Sequence, residues 1–318
     1  MVLKSTVSEI HSLSTHDGPG MRTTIFFKGC SLNCVWCHNP ETIKPQPEVV
    51  WEAGKCIGCR ECETVCPENA ISFSEPNSYI IDNSKCNNCG VCAGVCPSHA
   101  LKMVGDEYTV DTLFKRILSD EKFIKRSNGG ITFSGGEPTL HYRFIKELSK
   151  KLKAENFHLA LDTCGMSQLK AYDELLPLID LVLFDIKEMD SQKHKTFTGA
   201  GNEVILSNLK AIGKMIKNKS LKTKVWVRTP IIPGMTDSAG NISAIGEFLS
   251  GEMTGVIERW ELLAFNKMCS TKYRKLGLKW ILEEKELLPK RVAIDLLKQA
   301  KIASKDSCDV VLTGLTKN

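Results

Sequence analysis

Nothing constrains this chain as much as the spacing of its cysteines. Fourteen occur in 318 residues, and eleven of them lie between Cys30 and Cys96. That density is too low for a disulfide scaffold, and a chain of this length buries a core without cross-links. The first residues, Met1 to Glu9, lack the apolar stretch of a signal peptide, and no run of eighteen apolar residues exists. The expectation is a cytoplasmic chain with no membrane partner, whose thiols serve metal or catalysis. A net charge of +5 is modest, and no Lys/Arg run of five occurs, so no nucleic-acid partner is implied. The locally basic stretch from Lys267 to Lys305 reads as a solvated helix face, or else as a docking surface for an acidic partner.

Eight cysteines form two runs of one spacing, CxxCxxCxxxCP. The first is Cys56, Cys59, Cys62 and Cys66 before Pro67; the second is Cys86, Cys89, Cys92 and Cys96 before Pro97. This is the bacterial two-cluster ferredoxin pattern, in which the fourth cysteine of each run ligates the other cluster. One 4Fe–4S cluster then takes Cys56, Cys59, Cys62 and Cys96, and the other takes Cys86, Cys89, Cys92 and Cys66. Structural zinc also uses CxxC pairs, but two full runs with matching flanks, PENAISF and PSHALKM, favour iron–sulfur.

Cys30, Cys34 and Cys37 form a third group, CxxxCxxC, with no fourth cysteine nearby. Three thiolates leave one iron of a 4Fe–4S cluster open to a substrate or cofactor, unless a distant residue such as Cys164 closes it. Cys164, Cys269 and Cys308 stand alone.

Outside the insert, the pattern alternates between strand and helix. Strands are expected at 22–27, 131–133, 158–161, 181–184, 224–229 and 258–265. Helices are expected at 109–126, 141–154, 169–176, 207–217, 239–249 and 284–304, with a last apolar segment at 310–312. Such alternation implies an α/β fold, a partial parallel (β/α)6 barrel with helices outside. The domain reading is 1–48 for the first part of the core, 49–104 for a small α+β ferredoxin-like insert and 105–318 for the rest of the core. Cys30, Ser134 to Glu137, Asp162, Asp185, Arg228 and Asn266 each fall just past or at the end of an expected strand, where parallel β/α barrels gather their sites.

The segment HDGPGMRTTIFFKGCSLNCVWCHNPE, with SGGEP, LDTCG and DIK, resembles the glycyl-radical-enzyme activating enzymes of the radical S-adenosylmethionine superfamily. The likeness covers essentially the whole chain. The insert resembles the branch that activates dehydratases, decarboxylases and C–C, C–N or C–S lyases. The resemblance implies three 4Fe–4S clusters and S-adenosylmethionine, whose 5′-deoxyadenosyl radical takes a Cα hydrogen from one glycine of a partner glycyl radical enzyme. An electron donor such as flavodoxin or ferredoxin is implied as well.

Residue by residue, the resemblance makes Cys30, Cys34 and Cys37 the catalytic cluster ligands. It places Ser134, Gly135, Gly136 and Glu137 against the cofactor's amino group, and Lys187 and Arg228 near its carboxylate and sulfur. Trp36 and Asn39 flank the adenine. Asp162, Thr163 and Asp185 correspond to positions that hold a monovalent cation. Asp17 and Arg22 belong to a signature near the mouth and would position the substrate glycine loop. Asn266 stands where the family often has a histidine. Two other functions compete: a radical S-adenosylmethionine enzyme acting on a small molecule or peptide, and a ferredoxin-type electron carrier, which leaves the CxxxCxxC group unexplained.

Overall fold

The computed structural model describes residues 2–74 and 79–317. Strands β1 (Lys4–Ser14) and β2 (Arg22–Phe27) open the chain. The insert follows, with β3 (Glu48–Trp51), α1 (Glu61–Thr64), β4 (Ile71–Phe73), β5 (Tyr79–Ile81), α2 (Val91–Val95) and β6 (Leu101–Val104). Next come β7 (Asp106–Thr109), α3 (Val110–Leu118), α4 (Glu121–Arg126), β8 (Gly130–Gly135), α5 (Tyr142–Ala154), β9 (His158–Thr163) and α6 (Leu169–Leu175). The chain continues through β10 (Leu181–Asp185), α7 (Ser191–Thr198), α8 (Glu203–Asn218), β11 (Lys224–Ile231), α9 (Ala239–Gly251) and β12 (Ile257–Ala264). It ends with α10 (Ser270–Lys275), α11 (Lys290–Ser304) and β13 (Asp309–Thr313). Among the described residues no helix is long and apolar enough to cross a membrane.

One nine-stranded sheet organises the molecule, in the order β13-β12-β11-β10-β9-β8-β2-β1-β7. From β2 through β13 every neighbouring pair is parallel, and β1 and β7 extend the sheet antiparallel. The architecture is α/β with a parallel-rich sheet. All six expected strands are present in sequence order. The segment 310–312, expected to cover an end, instead becomes a further parallel strand paired with β12.

Four other features depart from expectation. β1 and β7 are rich in polar residues and half exposed, so they lack a clear apolar alternation. The helix expected over 109–126 breaks into α3 and α4 around Ser119 and Asp120. α11 begins only at Lys290, after Pro289, which sits at its N-cap in an extended conformation. α7 was not anticipated at all.

The pleat of the parallel strands sorts their side chains onto two faces. Ile25, Ile131, Phe133, Leu159, Leu161, Val182, Phe184, Val225 and Val227 face the helices and form the main core, almost without exposure. Each such side chain contributes roughly 1.5–3 kcal/mol by leaving water. The register aligns Thr24 with Thr132, Thr132 with Ala160, and Asp185 with Arg228 on the other, inner face. There Ala160, Leu181, Leu183 and Trp226 make a small apolar floor. The helices therefore cover one face, and the inner face is free to carry polar side chains.

The insert is tied off by the antiparallel ladder of β3 and β6, and β4 pairs with β5. Val49, Cys62, Ile71, Cys92 and Leu101 make its small core. α1 and α2 carry the third cysteine of each run, and each begins after a left-handed residue, Arg60 (φ 61°) or Gly90 (φ 79°).

Candidate functional site

β2 delivers the cysteine loop at its C-terminal end. The loop is held there by backbone bonds: Gly29 N–H donates to Thr42 O (2.7 Å) and Cys30 N–H to Ile43 O (3.0 Å). On one flank α7 accepts Asn33 N–H at Thr198 O (2.7 Å) and Val35 N–H at Phe197 O (3.0 Å). On the other flank lies the segment around α10. There the Tyr273 hydroxyl donates to Cys37 O (3.0 Å) and the Trp280 indole to Val35 O (3.0 Å). Lys272 Nζ donates to Asn39 Oδ1 (2.7 Å) and pairs with Glu41 (2.6 Å).

Of the basic residues of α10, expected on a solvated face, Lys272 turns toward the loop and Lys275 pairs with Glu52, while Arg274 stays exposed. Lys272, Tyr273 and Trp280 were missed because nothing local in the sequence links them to the cysteine loop. The only signal was the aromatic residues interleaved in that basic stretch.

Cys30, Cys34 and Cys37 are partly exposed. Burial pushes the Cys34 thiol up to about 11, with Lys187 pulling the other way, and burial also raises Cys37. Cys164 lies beside Cys30 and holds its thiol below the ordinary range, against burial. Three thiols, an open side and a buried lysine fit a 4Fe–4S cluster with one iron free.

Gly135 and Gly136 bring the end of β8 against this loop. A Cβ on Gly136 would sit 2.1 Å from Gly29 O, and one on Gly135 2.2 Å from Phe27 N. Gly136 N–H donates to Phe27 O (2.9 Å) and Glu137 N–H to Gly29 O (2.8 Å). Backbone therefore packs on backbone, which only glycine permits here. The Glu137 carboxylate, expected against the cofactor's amino group, is completely buried. It accepts from Thr139 N–H (3.1 Å), the Thr139 hydroxyl, the Thr163 hydroxyl (2.8 Å) and Cys164 N–H (2.8 Å).

The inner face beside the loop carries a charged network. The Ser134 hydroxyl donates to Asp162 (2.8 Å). Arg228 reaches Asp162 (3.5 Å), Glu261 (3.1 Å) and the carbonyl of His16 (2.8 Å). Lys187 is paired with Asp185. Burial works against the charge on Lys187, but Asp185 and the nearby thiols outweigh it and hold its pKa above the ordinary lysine value. Burial also pushes Asp162 up to about 7, with Arg228 opposing.

These contacts bear on the expected cation. The Thr163 hydroxyl faces the other way, toward Glu137 and Tyr172. Asp162 and Asp185 each already meet a cationic side chain.

Trp36 is buried in an apolar cluster with Ile232, Phe265, Cys269, Tyr273, Trp280 and Leu282. Asn39 is taken up by Lys272. Asn266 caps its own turn by accepting from Met268 N–H (3.1 Å), and its amide N–H groups have no partner among the described residues.

Asp17 and Arg22 meet through Thr132, whose hydroxyl accepts from Arg22 and donates to the Asp17 carbonyl (2.8 Å), but Arg22 does not sit at the mouth. Arg22 is the first residue of β2, and six residues of strand, about 20 Å, separate it from the exit toward Cys30. Fully buried, it donates to Thr132 Oγ1 (2.6 Å), Pro19 O (3.1 Å) and Ile131 O (2.8 Å). Asp17 accepts from Thr24 Oγ1 (2.7 Å) and Ser14 Oγ (2.8 Å). The link between β1 and β2 thereby lies against the inner face.

In the insert, the eight thiols line two recesses. Cys56, Cys59, Cys62 and Cys96 line one, with Trp51, Arg60, Phe73 and Tyr79. Cys66, Cys86, Cys89 and Cys92 line the other, with Val49, Glu68, Ile71 and Asn87.

Comparison with known proteins gives the same direction. Residues 16–206 match the family model described as a 4Fe-4S single cluster domain. The indoleacetate decarboxylase activating enzyme of Tractidigestivibacter scatoligenes is 38% identical, over 86% of this chain and 87% of that protein. The (2S)-3-sulfopropanediol dehydratase activating enzyme of Klebsiella oxytoca is 36% identical, over 86% of this chain and 85% of that protein. The structure of Streptococcus suis SuiB bound to precursor peptide SuiA aligns with a TM-score of 0.51 at 13% identity, over 90% of this chain and 46% of that one, a likeness of fold alone.

Proposed function

Because this chain belongs to the activating enzymes of glycyl radical enzymes, we propose that its cysteine loop and the inner face beside it form the site of that activation. When bound, a reduced 4Fe–4S cluster with S-adenosylmethionine supplies a 5′-deoxyadenosyl radical that takes a Cα hydrogen from a glycine of the partner enzyme. The observation that carries the reading is the clamped loop. Three thiols are held at the C-terminal end of β2 by α7 and by Tyr273 and Trp280, next to the buried Lys187.

The chain's own residues have distinct tasks in this reading. Cys30, Cys34 and Cys37 hold the cluster and leave one iron open. Lys187 and Arg228 hold positive charge beside the loop, suited to a carboxylate. The backbone of Ser134, Gly135 and Gly136 receives the cofactor's amino group, while Glu137 braces that turn from behind. Asn266 offers amide donors to the nucleoside. A monovalent cation would compete with Arg228 and Lys187 for the oxygens of Asp162 and Asp185, and the reading does without it.

The insert holds two further 4Fe–4S clusters, supported by the grouping of its thiols around two recesses in the crossed pairing expected of the doubled run. These clusters pass electrons from a flavodoxin or ferredoxin. The partner is a glycyl radical enzyme. Relatives named for a decarboxylase, a dehydratase and benzylsuccinate synthase are similarly close, at 36–38% identity, so the partner's own chemistry is left open.

The test is anaerobic incubation of the reconstituted chain with reductant, S-adenosylmethionine and a candidate partner. A glycine-centred doublet in the electron paramagnetic resonance spectrum, with 5′-deoxyadenosine formed, is expected. 5′-Deoxyadenosine without a radical on any partner would favour a small-molecule or peptide substrate. No 5′-deoxyadenosine, with about eight irons instead of about twelve, would leave only an electron carrier.

A further inference from the structure

The two recesses of the insert differ in a way the repeat does not require. In the first, the indole N–H of Trp51 and the hydroxyl of Tyr79 are buried and have no hydrogen-bond partner. Both residues line the recess formed by Cys56, Cys59, Cys62 and Cys96, but Tyr79 also lies near Cys92, Cys86 and Cys66 of the other set, so Trp51 alone is confined to the first. Their rings stack, with centroids 5.1 Å apart, and Phe73 closes on Tyr79 edge-on at 5.9 Å. Stacking fixes both rings, so neither polar atom can swing out to water. A buried donor without an acceptor is costly, and native structures rarely leave one. Among the described residues the second recess has no such orphan; its polar lining pairs internally, with Asn87 donating to Glu68 (2.9 Å) and accepting from Cys89 N–H (3.0 Å).

The charges differ in the same sense. Arg60 lines the first recess and lies over the Phe73 ring at 5.3 Å. It holds φ 61°, a left-handed conformation that costs an ordinary residue and suits glycine. The equivalent position of the second run is Gly90, at φ 79°. The first run thus keeps a guanidinium where the backbone favours glycine. The second recess is lined instead by the carboxylate of Glu68. Hydrogen bonds to sulfur and net charge are among the factors that set the potential of an iron–sulfur cluster.

Resting on the reading that the insert holds two clusters, we infer that Trp51 N–H donates to a sulfur atom of the cluster held by Cys56, Cys59, Cys62 and Cys96, making it the more readily reduced of the two. Donors to sulfur stabilise the added negative charge of the reduced form. The insert is then an asymmetric pair, with one site where an electron rests and one of lower potential.

The test uses the full reconstituted chain, titrated with a graded series of reductants and followed by electron paramagnetic resonance. Trp51→Phe leaves iron at about twelve per chain. It shifts one midpoint downward and leaves the others unmoved. A tenfold change in the oxidised-to-reduced ratio at fixed potential corresponds to about 59 mV for this one-electron couple. Arg60→Gly moves that midpoint the same way by less, without loss of thermal stability. Full iron with every midpoint unmoved, or different midpoints moved by Trp51→Phe and Arg60→Gly, overturns the donor assignment alone. Wild-type iron near four per chain overturns the cluster reading on which it rests.

Discussion

The Tyr273 hydroxyl donates a 3.0 Å hydrogen bond to the backbone carbonyl of Cys37, across a sequence separation of 236 residues. The third thiol of the open group is therefore positioned by a residue on α10. Tyr273→Phe removes only that bond and keeps the ring stacked on Trp280 (5.4 Å). We expect a loss of about 1 kcal/mol in stability and a several-fold faster loss of the loop's cluster under chelator. The insert's iron should be retained. Iron release followed over time, with and without the substitution, checks this; equal rates for both proteins would remove Tyr273 from the clamp.

Glu52 is met by three lysines, Lys55 (2.6 Å), Lys102 (2.9 Å) and Lys275 (3.0 Å), the last reaching across from α10 to the insert. Hydrogen bonds from these lysines hold its carboxyl well below the usual range. A depressed folded pKa gives stabilisation that is full above the unfolded value, about 4.3 for glutamate. It is lost as pH falls below that through the folded value. The lysines are about half exposed, so the network is worth on the order of 1 kcal/mol at low salt. Glu52→Gln should lower the unfolding midpoint equally at pH 6 and pH 8, and the difference should shrink only below about pH 4. Denaturant titrations across that range read it directly.

Glu137 accepts four hydrogen bonds with no exposure. Glu137→Gln leaves a single acceptor oxygen; with that oxygen kept on Thr139 and Thr163, the amide is turned toward Cys164 N–H, donor against donor. We expect a cost of about 3 kcal/mol in the metal-free chain, measured by thermal unfolding. Unchanged stability combined with weakened S-adenosylmethionine binding would return Glu137 to direct contact with the cofactor.

At Gly136 an added methyl meets only backbone: Gly29 O at 2.1 Å, Gly29 C at 2.6 Å and Thr42 O at 2.8 Å. None of these atoms can rotate away. Gly136→Ala should cost about 2–3 kcal/mol and displace the residue just before Cys30. Circular-dichroism melts and iron incorporation should fall together. Gly240→Ala, where no atom lies within 4 Å, serves as the silent control.

Much of this was legible because it is local. The cysteine runs are read from spacing alone. The six parallel strands were read from apolar segments that end at turn residues, because their helix-facing residues are fully apolar. What escaped depends on contacts across the chain. β1 borrows its order from β2 and β7 and carries no strong pattern of its own. Lys272, Tyr273 and Trp280 act on a loop more than 230 residues earlier. The direction of the Glu137 carboxylate is decided by Thr139, Thr163 and Cys164, which the SGGE motif does not reveal. Arg22 was assigned by its motif to the mouth, yet its place as the first residue of β2 puts it at the opposite end.

The insert leaves and rejoins the chain at one spot. Glu48 and Val104 are cross-strand partners in the β3–β6 ladder, which sets their Cα atoms about 5 Å apart. Glu48 is itself anchored to the main sheet by the buried Lys28 (3.2 Å). The order of the nine strands does not depend on what lies beyond that ladder. A tight turn of a few residues could span the same gap. The fold can thus acquire, exchange or shed the segment between Glu48 and Val104 in a single genetic step, the way a cassette is swapped at a fixed port.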